Sequence, residues 1–270
     1  MHCNENPLWT PALRSEELMS NYNFLLSYHL DSDFCCSNMW KPNLSPPVPF
    51  QDKWGLVYWA SSHCEPARTT YIYSLMKYIK IDAYGKCLHN KDDPKGIYGR
   101  SNGKVSRFYK FQLVLLNGDC DYWMDEKLAV ALDAGTVPIV MATNKMDQLL
   151  PGRLRQSVIL FRDFETPKKL ADYLLYLSNN PTEYNKYLEW KEAGFNMPSS
   201  YYDSCLGMFW DSRYKLYCRI CMELARGNKG HNGLKTLTCP ARKLRDWIKD
   251  DAAYNEALQY AKNESFAATV

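Results

Sequence analysis

Along this chain, short dense apolar runs alternate with stretches whose apolar positions recur at helical spacing, and polar turns separate the two. Phe111 to Leu116 carries so few polar positions that it reads as a strand buried on both faces. Asn117 to Asp121 breaks that run with turn residues. From Trp123 the apolar positions fall at Leu128, Val130, Ala131, Leu132 and Ala134, and Gly135 stands where a helix leaves its last turn. Val137 to Met141 is the next strand, which completes a β-α-β unit. The same order appears upstream, with a strand over Gly55 to Ala60, a turn over Ser61 to Pro66, an amphipathic helix over Ala67 to Ile79 and a strand from Ile81 to Tyr84-Gly85. Downstream, Val158 to Phe161 reads as a short strand. Thr166 caps a helix that has Pro167 in its first position and Leu170, Tyr173, Leu174 and Leu177 as its buried stripe. Asn180-Pro181 opens another, expected to run through Glu192.

Strands alternating with helices predict an α/β fold around a doubly wound sheet. Such folds bind nucleotides beyond the carboxyl ends of their strands, where the next helix aims its amides and positive dipole end outward. Lys41 to Gln51 holds four prolines and no room for a regular element, so it marks a boundary. The expected division is 1–50, 51–198 and 199–270. Lys91 to Arg107 is polar, basic and glycine-bearing, and reads as a surface loop near the cleft.

Composition narrows the classes. The chain has 270 residues, enough for one large domain or two small ones, and its net charge of +3 comes without any dense Lys/Arg run. A nucleic-acid partner is therefore not expected. The 20 tyrosines and eight tryptophans suit sugar-binding surfaces but serve cores more often. No apolar stretch reaches the ~18 residues of a membrane span, and the residues after Met1 do not read as a signal peptide. Ten cysteines are many for a cytosolic enzyme: they would be disulfides in an oxidising compartment, and free thiols or a metal cluster elsewhere. Cys218 and Cys221 have ligand spacing, and Cys205 and Cys239 could complete a zinc site. Disulfides are the preferred reading, in keeping with the acceptor sequons Asn43-Leu44-Ser45 and Asn263-Glu264-Ser265.

The candidate chemistry lies at the strand-to-helix corners. Lys127, one turn into a helix that follows a buried strand, can send its ammonium back to a diphosphate at the helix mouth, or it can simply pair with a neighbouring carboxylate. Arg68 sits in the first turn of the upstream helix, where a solvated arginine is also common. Asp119-Cys120-Asp121 has an Asp-x-Asp form, but a hard-cation site needs more oxygen ligands than this triplet supplies. Asn144-Lys145-Met146-Asp147 matches a guanine-specificity motif, yet the chain has no phosphate loop to accompany it.

Asn117, Glu126-Lys127 and Ala134-Gly135-Thr136-Val137-Pro138 together resemble the signature of the α1,3-fucosyltransferases. The stretch WASSHCEPARTTYIYSLMKYIKIDAYGKC is similar to the same family, as are Ser27, Tyr28, Asp31, Ser32 and Asp33, the run RDFETPKKLADYLLYLSNNPTEYNKYLEW, and YKLYCRICMEL with ARKLRDWI, taken as a Cys-x-x-Cys tail and terminal helix. Leu116, Trp123 and Asp125 replace the family's Glu, Tyr and Thr, and His29 and Leu30 replace two arginines. The resemblance implies a GT-B type glycosyltransferase with its doubly wound, Rossmann-like donor domain largely complete. Most of the acceptor domain, with the cytosolic tail and membrane anchor, would be missing from this chain. It implies inverting transfer of fucose from GDP-fucose, in α1,3 linkage, to N-acetylglucosamine of a glycan at the lumenal side of the Golgi membrane. No cofactor would be obligatory, and manganese at most stimulatory. Arg68 and Lys127 would hold the donor diphosphate, with Asn117, Trp123 and Glu126 also at the donor and Glu5 as the general base. Cys64–Cys87 would be a disulfide, and Cys218 and Cys221 would also be disulfide-bonded, with the connectivity at the C-terminus left open. This reading requires Arg68 and Lys127 to face one hollow. The departures from the signature leave a second expectation, a glycosyltransferase-like protein that binds or scaffolds glycans without transferring sugar.

Overall fold

The computed structural model describes residues 2–3, 5–92, 103–196, 204–210 and 212–263. Near the start, β1 (His2–Cys3), β2 (Leu26–Ser27) and β3 (Phe34–Cys35) form a small parallel sheet, with the one-turn helix α1 (Glu16–Met19) between the first two. The proline-rich stretch has no regular element until a 3-10 turn at Phe50–Asp52.

The main sheet is parallel throughout and built from β4 (Gly55–Trp59), β5 (Ile81–Ala83), β6 (Tyr109–Leu115), β7 (Val137–Met141) and β8 (Ile159–Leu160). Its strand order is β5-β4-β6-β7-β8. The chain thus winds outward in one direction from β4 to β5, then returns past β4 and winds in the other, which creates a switch point between β4 and β6. Helix α2 (Pro66–Met76) joins β4 to β5, α3 (Gly103–Ser106) precedes β6, and α4 (Glu126–Ala134) joins β6 to β7. After β8 come α5 (Pro167–Asn179), α6 (Pro181–Lys186), α7 (Trp190–Ala193), α8 (Cys205–Trp210), α9 (Ser212–Ala225) and α10 (Asp251–Asn263).

Alternation along the strands divides the core in two. Phe111, Leu113 and Leu115 join Val137, Ile139 and Met141 beneath α2, α5 and α10. Val114, Leu116 and Val140 face the other way, onto α4, Tyr28 and Met39 of the N-terminal segment, and Phe209 and Trp210 of α8. The helices begin where polar caps stand: Glu65 accepts from the amides of Ala67 and Arg68, Asp125 from that of Lys127, and Thr166 from that of Lys169. α4 ends at Gly135, whose φ of 66° is left-handed. At the amino ends of the strands, the buried Lys53 ammonium donates to the carbonyls of Arg107, Tyr109 and Gly135, at 2.9, 3.3 and 2.9 Å.

Several expectations need correction. Cys218 and Cys221 do not pair; both are exposed thiols on α9. Three residues apart on a continuous helix, their Cβ atoms stand ~5–6 Å apart, beyond the ~3.5–4.5 Å a disulfide spans. A zinc site with Cys205 and Cys239 is also removed, because those two pair with Cys35 and Cys120. Cys64–Cys87 forms as the resemblance implied. The helix expected from Asn180 to Glu192 is two pieces, α6 and α7. ARKLRDWI forms no α-helix: it is irregular apart from a 3-10 turn at Leu244–Asp246, and its Arg242 reaches inward to Asp119. β8 keeps only two residues of its expected four, as suits a strand at a sheet edge. The expected loop over 91–107 contains α3, and its residues 93–102 lie outside the described residues, as do residues 197–198 at the expected domain boundary and two residues of the sequon at Asn263. Among the described residues no helix is long and apolar enough to cross a membrane.

Two measurements check this architecture. A Cβ at Gly135 would meet Pro47 Cβ at 2.5 Å, whereas one at Gly227, also at positive φ, meets nothing within 4 Å. Gly227→Ala should therefore cost only backbone strain, about 1 kcal/mol, and Gly135→Ala clearly more, read from urea midpoints; equal costs would contradict the packing of the proline-rich stretch on α4. Alkylation of the folded, unreduced protein should label Cys218 and Cys221 and spare Cys64, Cys87, Cys120 and Cys239 on peptide mapping.

Candidate functional site

At the switch point, beyond the carboxyl ends of β4, β5 and β6, lies a cavity of about 450 Å³. Tyr58 of β4 and the Ala60-Ser61-Ser62-His63 turn form one wall, and Tyr84-Gly85 after β5 form another. Asn117 stands at the end of β6, while Arg68 enters from the first turn of α2 and Glu126 and Lys127 from the first turn of α4. α2 and α4 cover opposite faces of the sheet, yet their first turns both overhang the strand ends, so Arg68 and Lys127 share one hollow. A second cleft of about 450 Å³, lined by Gln156, Tyr173, Glu183 and Lys186 among others, lies over α5 and α6 away from the strand ends. The switch-point cavity is the better candidate, because cations and helix amides converge on it.

Arg68 is buried at 3% exposure. Its Nη1 donates to the carbonyls of Leu115 and Leu116 at 2.8 and 3.0 Å, and its Nη2 to Ser61 Oγ at 3.0 Å and to the His63 carbonyl. Its Nε is buried with no hydrogen-bond partner among the described residues. Burial, with Arg242 nearby, lowers its pKa to about 10 against the pull of Glu65 and Asp125, so at neutral pH the guanidinium stays charged. Lys127 Nζ lies 2.6 Å from Asp125 Oδ2 and 3.7 Å from Glu126 Oε1. Burial opposes its charge, but these two carboxylates together raise its pKa. The site thus holds two fixed cations before any ligand arrives.

The N-terminal segment closes the cavity from the opposite side. Asn6 is fully buried and donates from Nδ2 to Asn117 Oδ1 at 2.7 Å, and the indole of Trp123 donates to the same oxygen at 2.8 Å. This pairing places Trp9 on the cavity wall, half exposed and edge-on to His63 at 5.1 Å between ring centres. Glu5, exposed at the rim, has its pKa raised by partial burial and then by Glu126 and Asp125, with Lys127 opposing. Trp123 does not line the cavity: it is buried behind Asn117 and packs edge-on against Tyr28 at 4.8 Å. Tyr84 is fixed from below by a chain of short contacts, in which its hydroxyl meets that of Tyr109 at 2.6 Å, Tyr109 donates to Asp82 at 2.6 Å, and Lys91 donates to Asp82 at 2.6 Å.

Of the residues named from sequence, Arg68, Asn117, Glu126 and Lys127 meet in the cavity. Glu5 stands beside them and Trp123 behind them. Sequence reasoning missed Trp9, His63 and Tyr84, which lie in or beside turns, and Tyr58 within β4; none has a spacing signal, although His63 and Tyr84 belong to a recognised string. It also missed Arg242. That guanidinium grips Asp119, so the Asp-x-Asp triplet's first carboxylate is occupied by an arginine. Asp147 of the other set-aside motif pairs with Arg162 at 2.8 Å.

The sequence model of a known family, described as "Glycosyltransferase family 10 (fucosyltransferase) C-term", matches residues 50–239. A zebrafish (Danio rerio) protein named "GDP-fucose protein O-fucosyltransferase 3" is 32% identical over 222 residues, covering 71% of this chain and 47% of that protein. A human (Homo sapiens) protein of the same name is 32% identical over 196 residues, covering 70% of this chain and 37% of that protein. The chain spans less than half the length of these relatives. The crystal structure named for an alpha1,3-fucosyltransferase with GDP superposes at a TM-score of 0.49 and 18% identity, covering 69% of this chain and 51% of that one.

Proposed function

The chain belongs to glycosyltransferase family 10, the fucosyltransferases, and from that membership we propose that the switch-point cavity takes GDP-fucose and that fucose passes from it to a hydroxyl of a protein acceptor. One observation carries the donor assignment: Arg68 and Lys127, brought from opposite faces of the sheet, line the same cavity at the carboxyl ends of its strands. A diphosphate placed there meets two cations and the amino ends of two helices. Glu126, exposed on the same wall, is placed to accept hydrogen bonds from the nucleotide ribose. Asn117 holds the N-terminal segment across the cavity mouth.

In the transfer, the acceptor oxygen attacks the anomeric carbon from the face opposite the leaving GDP, inverting that centre, and a carboxylate takes its proton. Glu5 is assigned that role. The bond to GDP breaks with its electrons going to the diphosphate, and Arg68 and Lys127 offset the charge that collects there. A divalent ion such as manganese would add to this field without being required by it. The protein acceptor is supported by the names of the relatives; transfer to N-acetylglucosamine in α1,3 linkage, which the signature motifs suggested, is the competing acceptor class. Three disulfides support an oxidising compartment such as the Golgi lumen.

Calorimetric titration tests the donor half. GDP should bind the folded chain, and Lys127→Ala should weaken it about tenfold or more, ~1.4 kcal/mol; absence of heat with folded protein would sink the assignment. Fucose transfer from labelled GDP-fucose to Ser/Thr-bearing folded domains, set against a glycan ending in N-acetylglucosamine, decides the acceptor. Glu5→Gln should leave GDP binding intact while lowering turnover by roughly 10²–10⁴. Because the base must be ionised and its pKa is raised, turnover of the unaltered chain should climb with pH through a value above that of an ordinary glutamate. The variant should lack that limb. A variant that turns over normally removes Glu5 from the mechanism, whereas an unaltered chain that binds GDP and transfers no fucose returns weight to a binding protein that does no chemistry.

A further inference from the structure

Arg242 reaches the switch point from a segment 123 positions beyond Asp119. Its side chain is 2% exposed. Nε donates to both oxygens of Asp119, at 2.9 and 3.0 Å, and Nη2 to one of them at 2.5 Å. Nη1 donates to Glu65 Oε2 at 3.1 Å and to the Leu116 carbonyl at 2.9 Å. Each partner belongs to a different piece of the site. Asp119 lies in the turn from β6 to α4, which leads to Lys127. Glu65 caps α2, and the oxygen that receives Arg242 also receives the amide of Arg68, at 3.1 Å. Leu116 directly follows β6, and its carbonyl is shared with Arg68 Nη1. The Cys120–Cys239 disulfide fastens the same tail to the same turn, one residue from Asp119 and three from Arg242.

We propose that Arg242 is a positioning residue for the diphosphate grip: it sets the spacing of the α2 and α4 corners at which Arg68 and Lys127 face each other across the cavity. It does not line the cavity and touches no donor atom. Its planar fork, with donors in fixed directions, bridges two carboxylates and a carbonyl at once. An ammonium, with one charged atom, cannot span all three. Loss of the bridge leaves the Glu65 cap and the β6–α4 turn free to move apart, and the two cations then no longer match one diphosphate. This assignment rests on the donor reading above, and it adds that the grip is set from outside by the C-terminal tail.

The test compares GDP with GMP on the unaltered chain and on Arg242→Lys, which keeps the charge and removes the fork. The ratio of the two affinities is taken within one protein, so any loss of folded material cancels. GDP affinity should fall about tenfold in the variant, the preference for GDP over GMP should narrow, and the thermal midpoint should show that the protein is still folded. A variant that binds GDP as the unaltered chain does, or that loses GDP and GMP in equal proportion, overturns the positioning role while the donor reading stands. No GDP binding by the unaltered chain overturns the donor reading and this assignment together. If Arg242→Lys does not fold, Asp119→Asn, which keeps the guanidinium on Glu65 and Leu116, is read in the same way.

Discussion

The carbonyl oxygens of Leu115 and Leu116 end a buried central strand at the point where its ladder runs out, and a buried carbonyl without a donor is costly. Two guanidiniums meet that demand, Arg68 from the helix after β4 and Arg242 from the C-terminal tail. Satisfying β6 therefore concentrates positive charge at the sheet's carboxyl end. The same contacts hold Arg68 so that it cannot swing into solvent, and Lys127 is held in turn by Asp125. A cavity with fixed cations is the outcome of a backbone requirement, and an anion entering it meets charges that need little reorganisation.

Sheet topology decides why the two cations come together at all. Crossovers on either side of the switch point send α2 and α4 to opposite faces, which separates their bodies and brings their first turns together over the strand ends. A sheet wound in one direction only would have placed both helices on one face, with no crevice between their amino ends. The family match spans residues 50–239 and so contains both of these corners.

Much of the donor half was legible in the sequence because its signals are local. Apolar runs give β7 and the starts of β4 and β5, spacing and Gly135 give α4, and Thr166-Pro167 gives α5. What escaped depends on contacts between distant residues. The resemblance implies a terminal helix at ARKLRDWI, but Arg242 is engaged by Asp119 and Glu65, and no short window of sequence contains both Arg242 and Asp119. Cys218 and Cys221 carry a ligand spacing visible in sequence yet remain free thiols, whereas Cys120 and Cys239, which do pair, are 119 positions apart. Asn6 could not be matched to Asn117 for the same reason. In the first turn of α4, Lys127 pairs with Asp125 and also lines the cavity, so the pairing and the position at the strand ends do not exclude each other.

Asn6 and Arg242 clasp the end of β6 from the two sides of the chain. A ribosome releases residues in order, so the sheet from β4 to β7 can assemble while the tail is still unmade, but nothing in that nascent sheet can supply the Leu116 carbonyl with its second donor. The last part of the pocket to be completed is therefore among the last to be translated. An interrupted chain that stops short of Cys239 lacks the clasp at the mouth, and with it the share of the apolar interior that Leu244, Trp247, Ile248 and Ala257 supply.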